Sequence, residues 1–380
     1  MAKTIRVLMV FGSTEMGGAQ MFILYLLKNL DCERFQVDLA VNAEAKDGGI
    51  GDELRALGCR IYLLPYFKVY NYISFVKRWK RFLSEHHYDI VHGHSSNSAS
   101  IYLKIAKETG CVTIAHSHSA GYRGGCMEQR VKRYFAHRVG PVADYWFACS
   151  EKAAERLYGR EFRSSERYYS IPNAINAELY CYDNQKARAV RRQIGVADNE
   201  LLCGHVGSFT APKNHGFLLD IFAEVLKQRP DARLVCCGAG ELMAQVREKA
   251  AALGIMDKMI LTGNVMDVND YLMAMDVMVF PSLFEGFPIS VIEAEATGLP
   301  VVMSDVITKE VDLTDLVHRH ALSDSAAVWA KTICSIKPGR RIEYNKVIAD
   351  SKYNMQSCVQ LITLLYEEMV REERQNEDTI

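Results

Sequence analysis

Residues 277–298 constrain the fold of this chain more than any other stretch. Val277-Met278-Val279-Phe280 is an apolar run of strand length. Pro281 and Ser282 break it, and the chain turns through Gly286 and Phe287. Pro288 stands where the first residue of a helix belongs, because it lacks an N–H that would be unpaired there anyway. A helical segment then runs to about Thr297, with Gly298 as its stop. Strand, short loop, helix and next apolar run (from Val301) is the repeating unit of a parallel α/β sheet. With Pro288 at the first helical position, the N–H groups of Ile289, Ser290 and Val291 point back at the loop. Together with the helix dipole they form an anion site suited to phosphate. Glu285 lies just before that site and Glu293 lies one turn inside the helix. The two carboxylates bracket it and can accept hydrogen bonds from hydroxyls at either end of a ligand.

The same alternation fills the chain. Ile5–Phe11 reads as a central parallel strand, followed by the glycine loop Gly12 to Gln20 and a helix from Met21. No Lys-Ser/Thr follows the glycines, so this is not a P-loop. Strand and helix patterns then alternate to Val112–Ala115, which predicts a doubly wound sheet. A strand near residues 144–150 precedes the helix 151–158, with Ser150 as its cap. The boundary to a second domain is expected near residue 171, giving domains 1–171 and 172–354. The chain's 380 residues suit two domains of ordinary size.

Composition excludes several classes. No apolar run reaches the roughly 18 residues of a membrane span. The eleven cysteines are scattered without a C-x-x-C pair, which argues for buried thiols in a reducing compartment. Met1 to Arg6 leads directly into a strand without a secretory pattern, so a cytoplasmic protein is expected. Net charge is −1 but divides unevenly: residues 1–171 carry 24 Lys+Arg against 17 Asp+Glu. The first half is therefore expected to meet something anionic. No nucleic-acid motif accompanies it. The helix near residues 72–85 interleaves Lys77, Arg78, Lys80 and Arg81 with Ile73, Phe75, Val76, Trp79, Phe82 and Leu83. It serves equally as a core-facing helix with a solvated basic face or as a peripheral helix on the inner face of an anionic membrane. A second basic stretch, Arg130 to Arg138, points the same way.

The sequence FPSLFEGFPISVIEAEATGLPVV, with Glu285 and Glu293 in their spacing, resembles the donor-sugar site of retaining GT-B glycosyltransferases of family 4. The branch it most resembles assembles exopolysaccharide and capsule. The resemblance covers about residues 5 to 335. It implies two Rossmann-like doubly wound α/β domains facing an interdomain cleft, with the last helix (about 355–380) packed back on the first domain. It also assigns residues. Gly17 and Gly18 match the glycine loop that faces the donor diphosphate. His118, in TIAHSHSAGYRGG, matches the strand-end histidine that positions the transferred sugar. Lys213, in GSFTAPKNH, matches the lysine that clamps the diphosphate. The family's arginine position is Ser208 here, so a bidentate cation is missing. Glu285 would hold sugar hydroxyls and Glu293 the ribose. Gly286, Phe287, Ile289, Ser290 and Val291 would line the donor, and the backbone at Asn264 and Val265 would lie against the base.

The two His-x-His pairs, His92/His94 and His116/His118, each put two imidazoles on one strand face. No Asp or Cys cluster accompanies them and no Asp-x-Asp pair occurs, so neither metal nor cofactor is expected. The implied activity is retaining, metal-independent transfer from a nucleotide sugar, UDP favoured, to a lipid-linked or glycan acceptor. The rivals are a catalytically weak GT-B partner subunit, which Ser208 favours, and a GT-B sugar-nucleotide epimerase. The acceptor would be set by loops such as residues 120–127.

Overall fold

The computed structural model describes residues 3–15, 18–42, 49–94, 98–118, 134–337 and 341–377. Gly17, the loop 120–127, and Arg130, Lys132 and Arg133 lie outside them. The chain divides into two compact units. One comprises the residues up to Ala174 together with those from Met355 onward; the other is Ile175–Asn354.

The first unit is built on a sheet of seven strands: β1 (Ile5–Phe11), β2 (Phe35–Asn42), β3 (Ile61–Leu64), β4 (Ile90–Gly93), β5 (Val112–Ser117), β6 (Tyr145–Ala148) and β7 (Tyr168–Ser170). Their order is β3-β2-β1-β4-β5-β6-β7, and every pair is parallel. The order reverses between β1 and β4. Loops leaving the carboxyl ends of these two strands therefore diverge and open a crevice, the place where such sheets bind ligands. Helices cover both faces, so the central strands are apolar throughout: of β1, only Arg6 is not buried.

The second unit repeats the plan with β8 (Leu202–Val206), β9 (Arg233–Cys237), β10 (Met259–Gly263), β11 (Val277–Phe280), β12 (Val301–Ser304) and β13 (Val317–His320). The order is β10-β9-β8-β11-β12-β13, again parallel. Here the switch point lies between β8 and β11, paired at Val277 with Cys203 and Met278 with Gly204. The loops after β8 and β11 are thereby brought side by side, although two strands and their helices separate them in sequence.

The terminal helix Met355–Glu377 packs on the first unit. Met355, Cys358, Val359, Ile362, Leu365, Tyr366, Met369 and Val370 form a stripe of helical period that enters the same core as Val7, Met9 and Phe22. Arg374 pairs with Asp89 at 3.0 Å and Arg34 pairs with Glu367, which fixes the helix at two further points.

Candidate active site

In the second unit the loop after β11 meets the loop after β8 through backbone. The Leu283 N–H donates to the Pro212 carbonyl at 2.8 Å, and the Asn214 amide donates to the Pro281 carbonyl at 3.1 Å. Asn214 is itself in the left-handed region (φ 55°), a conformation that Asn tolerates better than most residues. These bonds set Lys213 beside the Glu285 loop. Lys213 Nζ stands 2.7 Å from Glu285 Oε1 and 4.7 Å from the centre of the Phe280 ring. The side chains are only 16% and 14% exposed. Glu285 Oε1 is buried and has no aligned hydrogen bond, so the contact is charge to charge.

The helix opposite is Ile289–Ala296. Its N-cap is Pro288 (φ −82°, ψ 91°), so the helix begins one residue later than expected. The first turn is tight: the Val291 N–H donates to the Pro288 carbonyl at 3.1 Å. Val291 is therefore not among the free donors. The amides of Ile289 and Ser290 have no acceptor among the described residues. Gly298 ends the helix at φ +67°, where a Cβ would stand 2.6 Å from the Arg341 Cα. Phe287 is buried and stacks on Tyr353 at 5.2 Å, which anchors the loop.

Glu293 accepts from the Tyr180 hydroxyl at 2.6 Å through Oε1. Burial raises its pKa, and the tyrosine hydrogen bond opposes the rise. Two residues on, Glu295 faces the other way and is fully buried. Its Oε1 accepts from the N–H groups of Leu313 (3.1 Å) and Thr314 (2.8 Å) and from the Thr314 hydroxyl (2.7 Å). It ties the segment after β12 to the helix. Its Oε2 has no partner, and burial pushes its pKa up to about 7. Ser208 is exposed and lies 3.3 Å from the Thr210 hydroxyl. Asn264 and Val265 follow β10 at the sheet edge, Asn264 exposed and Val265 partly buried.

In the first unit Gly18 begins the helix Gly18–Asn29, and Phe22 of that helix lies 5.6 Å from the His118 ring. The two histidine pairs meet because β4 and β5 are neighbours. His118 Nδ1 bonds to Asn173 Oδ1 at 2.9 Å, and its Nε2 bonds to His94 Nδ1 at 2.7 Å. Both ring nitrogens of His118 are thus engaged within the chain. Burial holds His118 neutral, lowered to about 4.

Sequence reasoning missed Tyr180, Asn173 and Glu295. Glu295 was visible only as the second carboxylate of Glu-Ala-Glu, whose spacing turns it off the face of Glu293. The helix Tyr72–Glu85 buries Phe75, Trp79, Phe82 and Leu83 in its own unit. Of its apolar residues only Ile73 stays strongly exposed, beside Val69, Tyr70 and Tyr72, while Lys77, Arg78, Lys80 and Arg81 are exposed.

Known proteins resemble this chain along most of its length. A family profile described as "Glycosyltransferase Family 4" matches residues 16–179, and one described as "Glycosyl transferases group 1" matches residues 200–336. EpsF of Bacillus subtilis (strain 168) is 30% identical over 333 residues, 86% of each chain. The chain belongs to glycosyltransferase family 4. This family 4 glycosyltransferase is also 25% identical, over 77% of each chain, to the UDP-Gal:alpha-D-GlcNAc-diphosphoundecaprenol alpha-1,3-galactosyltransferase of Escherichia coli. Its fold is that of Anabaena Alr3699/HepE, solved in complex with UDP and glucose: TM-score 0.78, 17% identity, covering 96% of this chain and 100% of that one. Each unit is Rossmann-like, and the architecture is the GT-B fold expected from the sequence.

Glu295 generates a pH prediction. Its pKa in the fold lies above the usual carboxylate value near 4.5. The native state therefore holds more protons than the unfolded chain between pH 4.5 and about 7, and stability falls as pH rises through that window. Urea unfolding of wild type and Glu295→Gln at about pH 5 and pH 8 should show the wild type losing on the order of 3 kcal/mol relative to the variant. Parallel changes in the two proteins would contradict this assignment.

Proposed function

We propose that this glycosyltransferase moves a sugar from a UDP-sugar to a hydroxyl of a lipid-linked glycan, with retention at the anomeric carbon and no metal at the diphosphate. The observation that carries the reading is the pairing of Lys213 with Glu285 beside two unpaired helix amides. The donor's diphosphate would draw Lys213 off Glu285 and onto itself, joined by the amides of Ile289 and Ser290. Charge developing on the leaving phosphate would meet those same groups. Glu285, released from the lysine, would accept from the sugar's hydroxyls. Glu293, whose Oε1 is taken by Tyr180, keeps Oε2 for the ribose.

Gly286, Phe287 and the backbone at Asn264 and Val265 complete the donor site in this reading. Gly17, Gly18 and His118 are the first unit's candidate sugar-binding residues, with Asn173 and His94 holding the His118 ring. Retention would follow from attack on the face that the leaving phosphate departs from. The UDP preference is supported by the name of the Escherichia coli relative and by the nucleotide in Anabaena HepE. The lipid-linked acceptor is likewise supported by that relative's name.

Calorimetry with UDP, GDP and ADP, with and without EDTA, tests the donor site. UDP should bind tightest, unaffected by EDTA. Glu285→Ala should lose about 10²-fold or more in kcat, with a lowered thermal midpoint but a folded chain at 25 °C. Equal binding of all three nucleotides, or unchanged turnover, would sink the reading.

No described helix is long and apolar enough to cross a membrane. The acceptor would instead be met at the membrane surface by Val69, Tyr70, Tyr72 and Ile73, with Lys77, Arg78, Lys80 and Arg81 beside them. Vesicles containing phosphatidylserine should sediment the protein at low salt and release it at high salt. Equal binding to neutral vesicles would show that the charge plays no part.

A further inference from the structure

The geometry points to a transition-metal site in the first unit, formed by the imidazoles of His92, His94 and His116 and suited to a divalent ion of the zinc class. These three residues can offer ring nitrogens that all lie within 4.8 Å of one another. They come from the carboxyl ends of two adjacent parallel strands, β4 and β5, so the backbone already fixes their approach.

The hydrogen bonds around them fix which nitrogen each imidazole presents. Asn173 Oδ1 can only accept, so His118 Nδ1 carries the proton and His118 Nε2 is a lone pair. That lone pair accepts from His94 Nδ1 at 2.7 Å. His94 Nε2 is then unprotonated, and it is buried without a partner. His92 Nδ1 lies 2.6 Å from the Tyr366 hydroxyl on the terminal helix, which leaves His92 Nε2 facing the cluster. His92 Nε2 is hydrogen-bonded to His116 Nδ1 at 3.2 Å. His116 Nε2 is buried without an aligned hydrogen bond, and the Ile171 backbone stands near enough to favour a proton on the ring. His92 and His94 are thus held by Nδ1; His94 Nε2 is open to a ligand, and His92 Nε2 becomes so once an ion replaces its bond to His116 Nδ1.

An outer partner on one nitrogen and a metal on the other is how ligating histidines are ordinarily oriented. Tyr366 and His118 are those outer partners here. A buried nitrogen without a partner is otherwise costly, and His94 Nε2 is one. Three neutral imidazoles without carboxylate or thiolate suit zinc, copper or nickel rather than magnesium or calcium. In a tetrahedral zinc site the nitrogens stand about 3.4 Å apart, so the rings would close by about 1 Å. His94 is the least buried of the three histidines. A bound ion would cross-link β4 to β5, with Tyr366 of the terminal helix and His118 as its outer shell. The inference is independent of the nucleotide reading, since the diphosphate would be held by Lys213 and the helix amides.

The test uses the full chain, stripped with a chelator and titrated with Zn²⁺ and Co²⁺. We expect one tight equivalent of zinc, a raised thermal midpoint, and the intense visible bands of tetrahedral cobalt. His94→Ala should abolish all three. Tyr366→Phe, which keeps every ligand, should weaken zinc binding about 10-fold to 100-fold. A cobalt spectrum that stays octahedral, or zinc affinity unchanged in His94→Ala, would overturn the site and leave water to satisfy these nitrogens.

Discussion

The ion pair of Lys213 and Glu285 is the interaction on which the candidate site depends. Two largely buried charges at 2.7 Å gain little net stability, because each loses its hydration. Removing either one alone strands the other, at roughly 3–5 kcal/mol for a well-buried pair. Such a pair is kept in place by geometry, here the adjacency of β8 and β11 and the backbone bonds between their loops. It is also a pair that an anion can reorganise. A diphosphate offers the lysine a stronger partner, and sugar hydroxyls offer the carboxylate new donors. In the proposed reaction the desolvation cost is already met before the donor arrives, which is the sense in which the site is preorganised.

The first unit poses the complementary problem. Four imidazoles are gathered at the ends of β4 and β5, and burial keeps them neutral. Asn173 and Tyr366 orient them from outside. The terminal helix therefore does more than fill the core: its Tyr366 reaches the histidine cluster while its apolar stripe seals the sheet. Sequence-distant parts of the chain are thus committed to the same few ångströms as His118.

The fold was legible because parallel strands buried on both faces read as plain apolar runs, and Gly298 and Ser150 mark element ends with chemistry that few residues share. The strand, loop and helix at residues 277–298 were legible for the same reason. Two details were not. A proline at position 288 suits both the cap and the first helical position, and only its ψ of 91° separates them. With that shift the Val291 amide left the anion site. Long-range partners left no local trace either: Tyr180 reaches Glu293 across 113 residues and Tyr366 reaches His92 across 274. The histidine pairs were visible, but their meeting depends on the neighbouring of β4 and β5, which no spacing encodes.

The most direct test of the account is a crystal structure of the chain with UDP bound. The account predicts that Lys213 Nζ leaves Glu285 for a phosphate oxygen, with the Ile289 and Ser290 amides on the same diphosphate. UDP seated elsewhere, with the Lys213–Glu285 contact intact, would contradict it.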